Sequence, residues 1–152
     1  MTGAIACQLR DVRHPLSDAF TLQVDSLDIH EGETLCLVGP TGAGKSTLLR
    51  FCSGLVPVKG QLHLAGQVRS SDGFPLNILR QVATVHQRPM LLSDSVRANI
   101  EYGLRVRGVA AAHQRADEIL ASMGMSHLSR QDARTLSGGQ MQMVGLARAL
   151  VI

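Results

Sequence analysis

The chain has 152 residues, of which 45% are hydrophobic and 18% are charged, and its net charge at pH 7 is +3. This length suffices for one domain with a buried core, and the modest, scattered charge argues against a nucleic-acid-binding protein. Three cysteines without the spacing of metal ligands argue against a metal centre, and no apolar run approaches the roughly 18 residues of a membrane span.

Several short strands are predicted in the first part of the chain. Strands are predicted at residues 5–9 and at residues 21–29, where Leu22, Val24 and Leu27 alternate loosely with polar residues. Residues 61–65 are predicted to form another short strand. A further strand is predicted at residues 33–38, which are apolar and partly β-branched, as in a buried strand. That strand leads directly into a glycine-rich loop.

The glycine-rich loop matches G-x-x-x-x-G-K-[ST] at every fixed position and precedes a predicted helix at residues 46–52, which ends near Gly54. Its glycines let successive N–H groups point into one concavity, and the helix adds the positive end of its dipole, so the segment suits a polyphosphate. Lys45 would contact the β- and γ-phosphates, and Ser46 would ligate Mg²⁺. The predicted nucleotide-binding residues are Gly39, Pro40, Thr41, Gly42, Ala43, Gly44, Lys45, Ser46 and Thr47. The alternative is a glycine-rich turn with an incidental lysine.

A strand is also predicted at residues 82–85, and Pro89 stops its regular continuation. Gln87 lies between the two, and its amide oxygen is of the hard type that Mg²⁺ accepts. Taken alone, a glutamine after a strand is most simply an incidental surface residue.

Two amphipathic helices are predicted within residues 90–136. In the first, Val96, Ile100 and Leu104 share one helical face. The second runs from about residue 110 to residue 123, and Gly124 follows it as a stop signal. Its predicted inward residues are Ala112, Ala116, Ile119, Leu120 and Met123.

A second glycine motif reads Leu136-Ser137-Gly138-Gly139-Gln140. Ser137 stands where a helix N-cap would stand, and the glycines leave the backbone N–H groups unobstructed. A helix is predicted over residues 141–150, and its apolar positions are Met143, Leu146, Ala147 and Leu150. Such a helix start can bind an anion; a plain capped helix is the alternative.

The two glycine motifs, in this order, resemble the nucleotide-binding subunit of the ATP-binding cassette (ABC) family, in which the second motif is the family signature. The resemblance implies an α/β P-loop NTPase fold, with a RecA-like core, an N-terminal antiparallel β layer and an α-helical subdomain at residues 90–136. Residues 1–152 would form a partial nucleotide-binding domain, incomplete at the C-terminus. Met141, Met143 and Gly145 depart from the residues common in the family.

The resemblance also implies roles for residues outside the loop. Gln87 matches the glutamine of the family's Q-loop and would reach Mg²⁺ together with Ser46. The residues that would face the ATP of the partner in a homodimer are Ser137, Gly138, Gly139 and Gln140. The family usually stacks an aromatic ring on adenine; here Phe20 is the nearest aromatic and His14 is a substitute, with a solvent-exposed loop histidine as the alternative.

The resemblance implies an ABC-type ATPase, the ATP-binding subunit of an importer. Its cofactors would be ATP and Mg²⁺, its partners transmembrane permease subunits and no nucleic acid, and its location cytoplasmic and peripheral on the inner face of the cell membrane. Residues 88–104 resemble those of inorganic-anion importers, such as those for tungstate, molybdate or phosphate; an ordinary pair of amphipathic helices is the alternative. The other interpretations are a soluble, non-transport ABC ATPase and a nucleotide-binding fragment without turnover, since the acidic residues that hydrolysis needs are not found after an apolar strand.

Overall fold

The computed structural model describes residues 3–18 and 20–152. The chain divides into two compact units, Met1–Val82 and Ala83–Ile152. The first unit contains an antiparallel sheet and the glycine-rich loop, and the second unit is helical.

A four-stranded antiparallel sheet dominates the first unit, in the order β2-β1-β3-β4. Its strands are β1 (Ile5–Ser17), β2 (Phe20–His30), β3 (Gln61–Leu64) and β4 (Gln67–Val68). The strands predicted at residues 5–9, 21–29 and 61–65 are therefore confirmed. Strand β1 continues to Ser17 because β2 pairs with it along its whole length, from Ile5 opposite His30 to Ser17 opposite Phe20.

The core of the first unit lies between one face of this sheet and helix α1 (Lys45–Cys52). Phe51 of α1 is buried against apolar residues on the covered face of the sheet, which alternate along the strands except where Asp11, at φ +51°, interrupts β1. These sheet residues are Cys7, Leu9, Val12, Leu22, Leu62 and Leu64. Helix α2 (Leu76–Leu79) adds Ile78 to the same core.

Two predicted strands do not form. Residues 33–40 and 82–86 have no regular secondary structure, and Leu35 and Val38 are 41% and 90% exposed. Their composition is typical of parallel strands that are buried on both faces. A strand exists through hydrogen bonds to neighbouring strands, and in the described residues no strand pairs with either segment. The prediction of strands at residues 33–38 and 82–85 is wrong, because the composition of a segment does not show whether a neighbouring strand is present to pair with it.

The second unit packs three helices, α3 (Val96–Val106), α4 (Ala112–Ser122) and α5 (Gly138–Leu150), together with short 3₁₀ turns at Ser126–Leu128 and Ala133–Thr135. The predicted inward face of α3 is confirmed, since Val96, Ile100 and Leu104 are fully buried. Helix α4 buries Ala112, Ala116 and Leu120, while Ile119 and Met123 pack at the edge of this core. Gly124 follows with φ +69°, the left-handed conformation of a helix stop.

Helix α5 is rotated relative to its predicted face. Among its four predicted apolar positions only Ala147 is buried, whereas Met143, Leu146 and Leu150 are exposed. Val144 is fully buried in their place and packs into the core of the helical unit. The spacing of apolar residues predicts a helix correctly, but this helix is apolar on several sides, so packing against α3 and α4 decides which side turns inward. No helix in the described part of the chain is long and apolar enough to cross a bilayer.

Candidate functional site

The glycine-rich loop ends at Gly44, which starts helix α1 in the left-handed conformation with φ +88°. Its carbonyl accepts the hydrogen bond of the Leu48 N–H at 2.9 Å. A Cβ atom at this position would lie 3.1 Å from a methyl carbon of Leu16 and 3.1 Å from one of Leu22. The left-handed backbone therefore favours glycine here, and any side chain would also require the leucines of the β1–β2 hairpin to move. The predicted helix is confirmed, and it begins one residue earlier, at Lys45.

Lys45 folds back over the loop. Its Nζ donates hydrogen bonds to the carbonyl oxygens of Gly39 and Pro40, both at 2.7 Å. An ammonium group has three donors, so one remains for a ligand. Both acceptors are neutral, and an anionic phosphate oxygen is a stronger acceptor than either of them. The Lys45 ammonium group therefore lies against its own loop, where phosphate oxygens can replace the two carbonyl oxygens as its acceptors.

The start of α1 is open to an anion. Ser46 is exposed, and no acidic residue lies in the first turn of the helix. The positive end of the helix dipole is therefore not neutralised locally. In the described residues no hydrogen bond engages the Ser46 hydroxyl, which leaves it available as an oxygen ligand for a hard cation.

His14 does not lie in a loop. It lies within strand β1, three residues before the strand ends, and is half-buried. Its ring meets that of Phe51 edge-on, with centroids 5.2 Å apart and planes at 81°. The alternative of a solvent-exposed loop histidine is therefore wrong. The residues expected to form a loop belong to strand β1, which pairs with β2 as far as Ser17. Phe20, at the start of β2, is 43% exposed and has the freer ring.

The second glycine motif starts helix α5 with a capping box. The Oγ of Ser137 accepts from the Gln140 N–H at 3.3 Å, and the side-chain oxygen of Gln140 accepts from the Ser137 N–H at 2.9 Å. A Cβ atom at Gly138 or Gly139 would meet nothing within 4 Å, so both face open space. Their N–H groups have no acceptor among the described residues, and the hydroxyl proton of Ser137 is free to donate. The predicted N-cap is confirmed, and it presents three donors to solvent.

The turn before this helix is fixed by Asp132, whose carboxylate accepts from the Arg134 backbone N–H at 2.9 Å. The side chain of Arg134 also donates to it and holds the pKa of Asp132 at about 2. Asp132 therefore stays ionised, and the turn at Ala133–Thr135 leads into Leu136, which is buried.

Gln87 lies in the second unit, on an irregular segment that packs beside helix α5. Its side chain is exposed, and its carbonyl oxygen accepts a hydrogen bond from the Gln142 side chain. Three residues later, the Met90 carbonyl accepts from the Arg148 guanidinium at 2.7 Å. The structure thus brings the predicted Q-loop segment and the signature helix together within one unit.

The sequence profile described as ABC transporter matches residues 22–152. The chain belongs to the ABC transporter family. Its similarity extends to the maltose/maltodextrin import ATP-binding protein of Salmonella paratyphi A, with 36% identity over 147 residues that cover 95% of this chain and 39% of that protein. The spermidine/putrescine import ATP-binding protein of Rubrobacter xylanophilus is 40% identical over 151 residues, covering 97% of this chain and 39% of its own length. The chain therefore spans about two fifths of the length of these relatives.

The fold agrees with that of ABC ATPases. The structure of cbiO1 from Clostridium perfringens, part of the ABC transporter complex cbiONQ, superposes with a TM-score of 0.79 and 23% identity, covering 97% of this chain and 62% of that chain. The predicted P-loop NTPase fold with an antiparallel β layer is confirmed. The two core strands that do not form, at residues 33–38 and 82–85, are the exception.

Sequence reasoning missed Asn99, which organises the helical unit of this ABC chain. Asn99 is fully buried in α3, and its Oδ1 accepts from the Leu92 N–H at 2.7 Å. Its Nδ2 donates to the carbonyls of Leu92 at 3.1 Å and Ser95 at 3.0 Å. These bonds tie the segment after Met90 to the helix. The sequence signal was weak: Asn99 precedes the buried Ile100 in α3, and a pattern of apolar residues does not identify a buried polar side chain.

Proposed function

We propose that the protein is the ATP-binding subunit of an ABC importer and that residues 39–47 hold the phosphates of Mg-ATP. The observation that carries this proposal is the position of Lys45, whose ammonium group bonds two carbonyls of its own loop. In the proposed complex, Lys45 exchanges these carbonyls for the β- and γ-phosphate oxygens. Family membership and relatives that are named as import ATP-binding proteins support the same conclusion.

Two oxygen donors of this chain suit the Mg²⁺ of Mg-ATP. Mg²⁺ prefers oxygen ligands and is commonly bound through one or two protein groups together with substrate phosphates and water. The exposed hydroxyl of Ser46 and the exposed amide of Gln87 have this chemistry. Because Ser46 and Gln87 match the P-loop serine and the Q-loop glutamine of the family, we propose each of them as a Mg²⁺ ligand.

The signature has an intermolecular role in this proposal. The two exposed N–H groups of Gly138 and Gly139 and the free hydroxyl proton of Ser137 form a donor set for the γ-phosphate bound by a second subunit. Two such sites follow from one two-fold axis in a homodimer. The side chain of Gln140 is engaged in the capping box, so its contribution is to orient Ser137.

ATP binding and hydrolysis by the whole protein would drive transport through transmembrane permease subunits, with this subunit peripheral on the inner face of the cell membrane. The predicted inorganic-anion substrate rests on residues 88–104 alone. Relatives are named for the import of maltose and maltodextrin, of spermidine and putrescine, and of Fe(3+) ions. Membership of the family therefore does not identify the class of substrate that is transported.

Nucleotide binding is tested by thermal unfolding of the purified chain with Mg-ATP. Ligand at a hundred times its dissociation constant stabilises a fold by about 2.7 kcal/mol, and we expect a shift of this size in the parent chain. Lys45→Ala should abolish the shift. The chain has one other lysine, Lys59, on the surface, so Lys59→Ala is the matched control and should retain it. An ATP-dependent shift that survives Lys45→Ala contradicts the assignment.

The intermolecular role is tested separately with Ser137→Arg. A bulky cation at the exposed cap should block closure on a partner's nucleotide, while ATP binding by each monomer should persist because it depends on Lys45. Light scattering with Mg-ATP should show dimers of the parent protein and monomers of the variant. Loss of ATP binding by a folded Ser137→Arg monomer would show instead that the signature acts on the nucleotide of its own chain.

A further inference from the structure

One side of helix α5 meets the segment at residues 87–90 at three points. Gln142 donates to the Gln87 carbonyl, and Arg148 donates to the Met90 carbonyl at 2.7 Å. Between these contacts, Gly145 is buried beneath Pro89. The three helix residues are spaced by three positions, so they follow one slanting line on the helix surface. We call Gln142, Gly145 and Arg148 the docking stripe.

Gly145 permits a close approach that no other residue would allow. A Cβ atom built on it would lie 2.9 Å from the Cβ of Pro89 and 3.0 Å from its Cγ. A proline ring is rigid and cannot rotate aside as a flexible side chain could. Glycine inside a helix lowers helix stability relative to alanine, so its presence in the third turn of α5 needs a reason. The contact with Pro89 supplies that reason.

The segment is tied at both ends of this contact. Beyond Met90, Leu92 is bound through its N–H and its carbonyl to the buried side chain of Asn99. The backbone from Gln87 to Leu92 is thus fixed by one residue of α3 and by the docking stripe of α5. What remains free is the exposed side chain of Gln87.

We propose that the docking stripe positions Gln87, and that Gly145 is the positioning residue on which its placement depends. This inference rests on the proposed function, in which Gln87 is a ligand of Mg²⁺.

The docking itself is tested by NMR on the ¹⁵N-labelled chain without nucleotide. In the parent we expect nuclear Overhauser contacts between the Hα protons of Gly145 and the ring protons of Pro89. Gly145→Ala should shift the amide resonances of residues 87, 88, 90 and 91. The control is Gly103→Ala, also inside a helix, where the nearest atom to the new Cβ is a side-chain methyl of Ile152 at 3.3 Å. This control should leave those four resonances in place.

A double variant separates docking from a general effect of alanine in the helix. Pro89→Gly removes the two atoms closest to a Cβ at position 145 and leaves only a methyl carbon of Val85, at the ordinary contact distance of 3.8 Å. In that background, Gly145→Ala should cause no further shift of residues 87, 88, 90 and 91. Arg148→Met provides a second variant that keeps the helix intact and should shift the amides of residues 90 and 91. Equal effects of Gly145→Ala in both backgrounds, or no effect in either, would overturn the proposal.

The consequence for Gln87 is measured with Mn²⁺ as a paramagnetic probe of the Mg²⁺ site, by EPR titration in the presence of ATP. Loss of a group that orients a metal ligand weakens metal affinity by about 10- to 100-fold, so Gly145→Ala and Gln87→Ala should both weaken Mn²⁺ binding about tenfold or more. ATP affinity measured without metal should not change in Gly145→Ala. If the parent binds no Mn-ATP, the proposed function fails while the amide shifts still decide docking. If the parent binds it and Gly145→Ala binds it equally well, the positioning role is wrong.

Discussion

Removal of the Asn99 side chain tests the polar contact that anchors residues 92–95 to helix α3. Asn99 makes three well-placed hydrogen bonds to backbone groups, with lengths of 2.7, 3.0 and 3.1 Å, and a longer one to the Asp94 carbonyl at 3.4 Å. A hydrogen bond contributes about 1 kcal/mol net, so we expect Asn99→Ala to lower the free energy of unfolding by about 3 kcal/mol. Urea unfolding measures this, and the Leu92 amide, which loses its acceptor, should exchange its hydrogen faster.

The chain offers a matched control, because its only other asparagine, Asn77, is exposed in α2. Asn77→Ala should change stability by no more than about 0.5 kcal/mol, as expected for a surface position. Asn99→Asp keeps an acceptor for the Leu92 N–H but removes both donors, so it should destabilise the chain at least as much as Asn99→Ala. If Asn99→Ala is as stable as Asn77→Ala, the side chain does not anchor this segment and our account of it is wrong.

Two further predictions concern stability. Gly54→Ala should destabilise the chain by about 2–5 kcal/mol, because φ is +72° and the new Cβ would lie 2.7 Å from a methyl of Leu64. Gly66 has a similar φ of +75° but open space around it, so Gly66→Ala should lower the free energy of unfolding only by the cost of backbone strain, about 1–2 kcal/mol. If urea unfolding shows that both variants lose the same free energy, the packing argument for Gly54 is wrong. Arg134 lowers the pKa of Asp132 from 3.8 to about 2. The ion pair of Asp132 with Arg134 should therefore stabilise the folded chain fully above pH 4, and this stabilisation should be lost as Asp132 takes up a proton towards pH 2. Asp132→Asn should flatten this part of the stability profile measured by acid titration, and an unchanged profile would show that the ion pair does not support the turn.

Local sequence was sufficient wherever a structure depends on residues a few positions apart. The helix after the glycine-rich loop, the cap at Ser137 and the buried face of α3 all formed as predicted. Each of these depends on backbone conformation or on contacts within one or two helical turns. The spacing of Ser137 and Gln140 also matches the sequence pattern of a capping box.

Features that depend on distant residues could not be predicted. Nothing in residues 33–38 indicates whether another strand lies beside them, and without such a strand they remain irregular. The predicted face of α5 was wrong because Met143, Leu146 and Val144 are all apolar, and contact with α3 and α4 selects Val144. His14 became a half-buried strand residue because β2 pairs along the full length of β1.

The sequence by itself determined the family of this protein and the loop that we propose for phosphate binding, because both depend on contiguous motifs whose backbone geometry is local. Only the tertiary structure decided the positions of Asn99 and Gly145. Asn99 is an ordinary polar residue until residues 92–95 fold onto it, and Gly145 is an unfavourable helix residue until Pro89 packs against it. The partner of Gly145 lies more than fifty residues away along the chain. The partners of Asn99 lie only four to seven residues before it, but part of that segment is irregular, and a pattern of apolar residues does not predict its path.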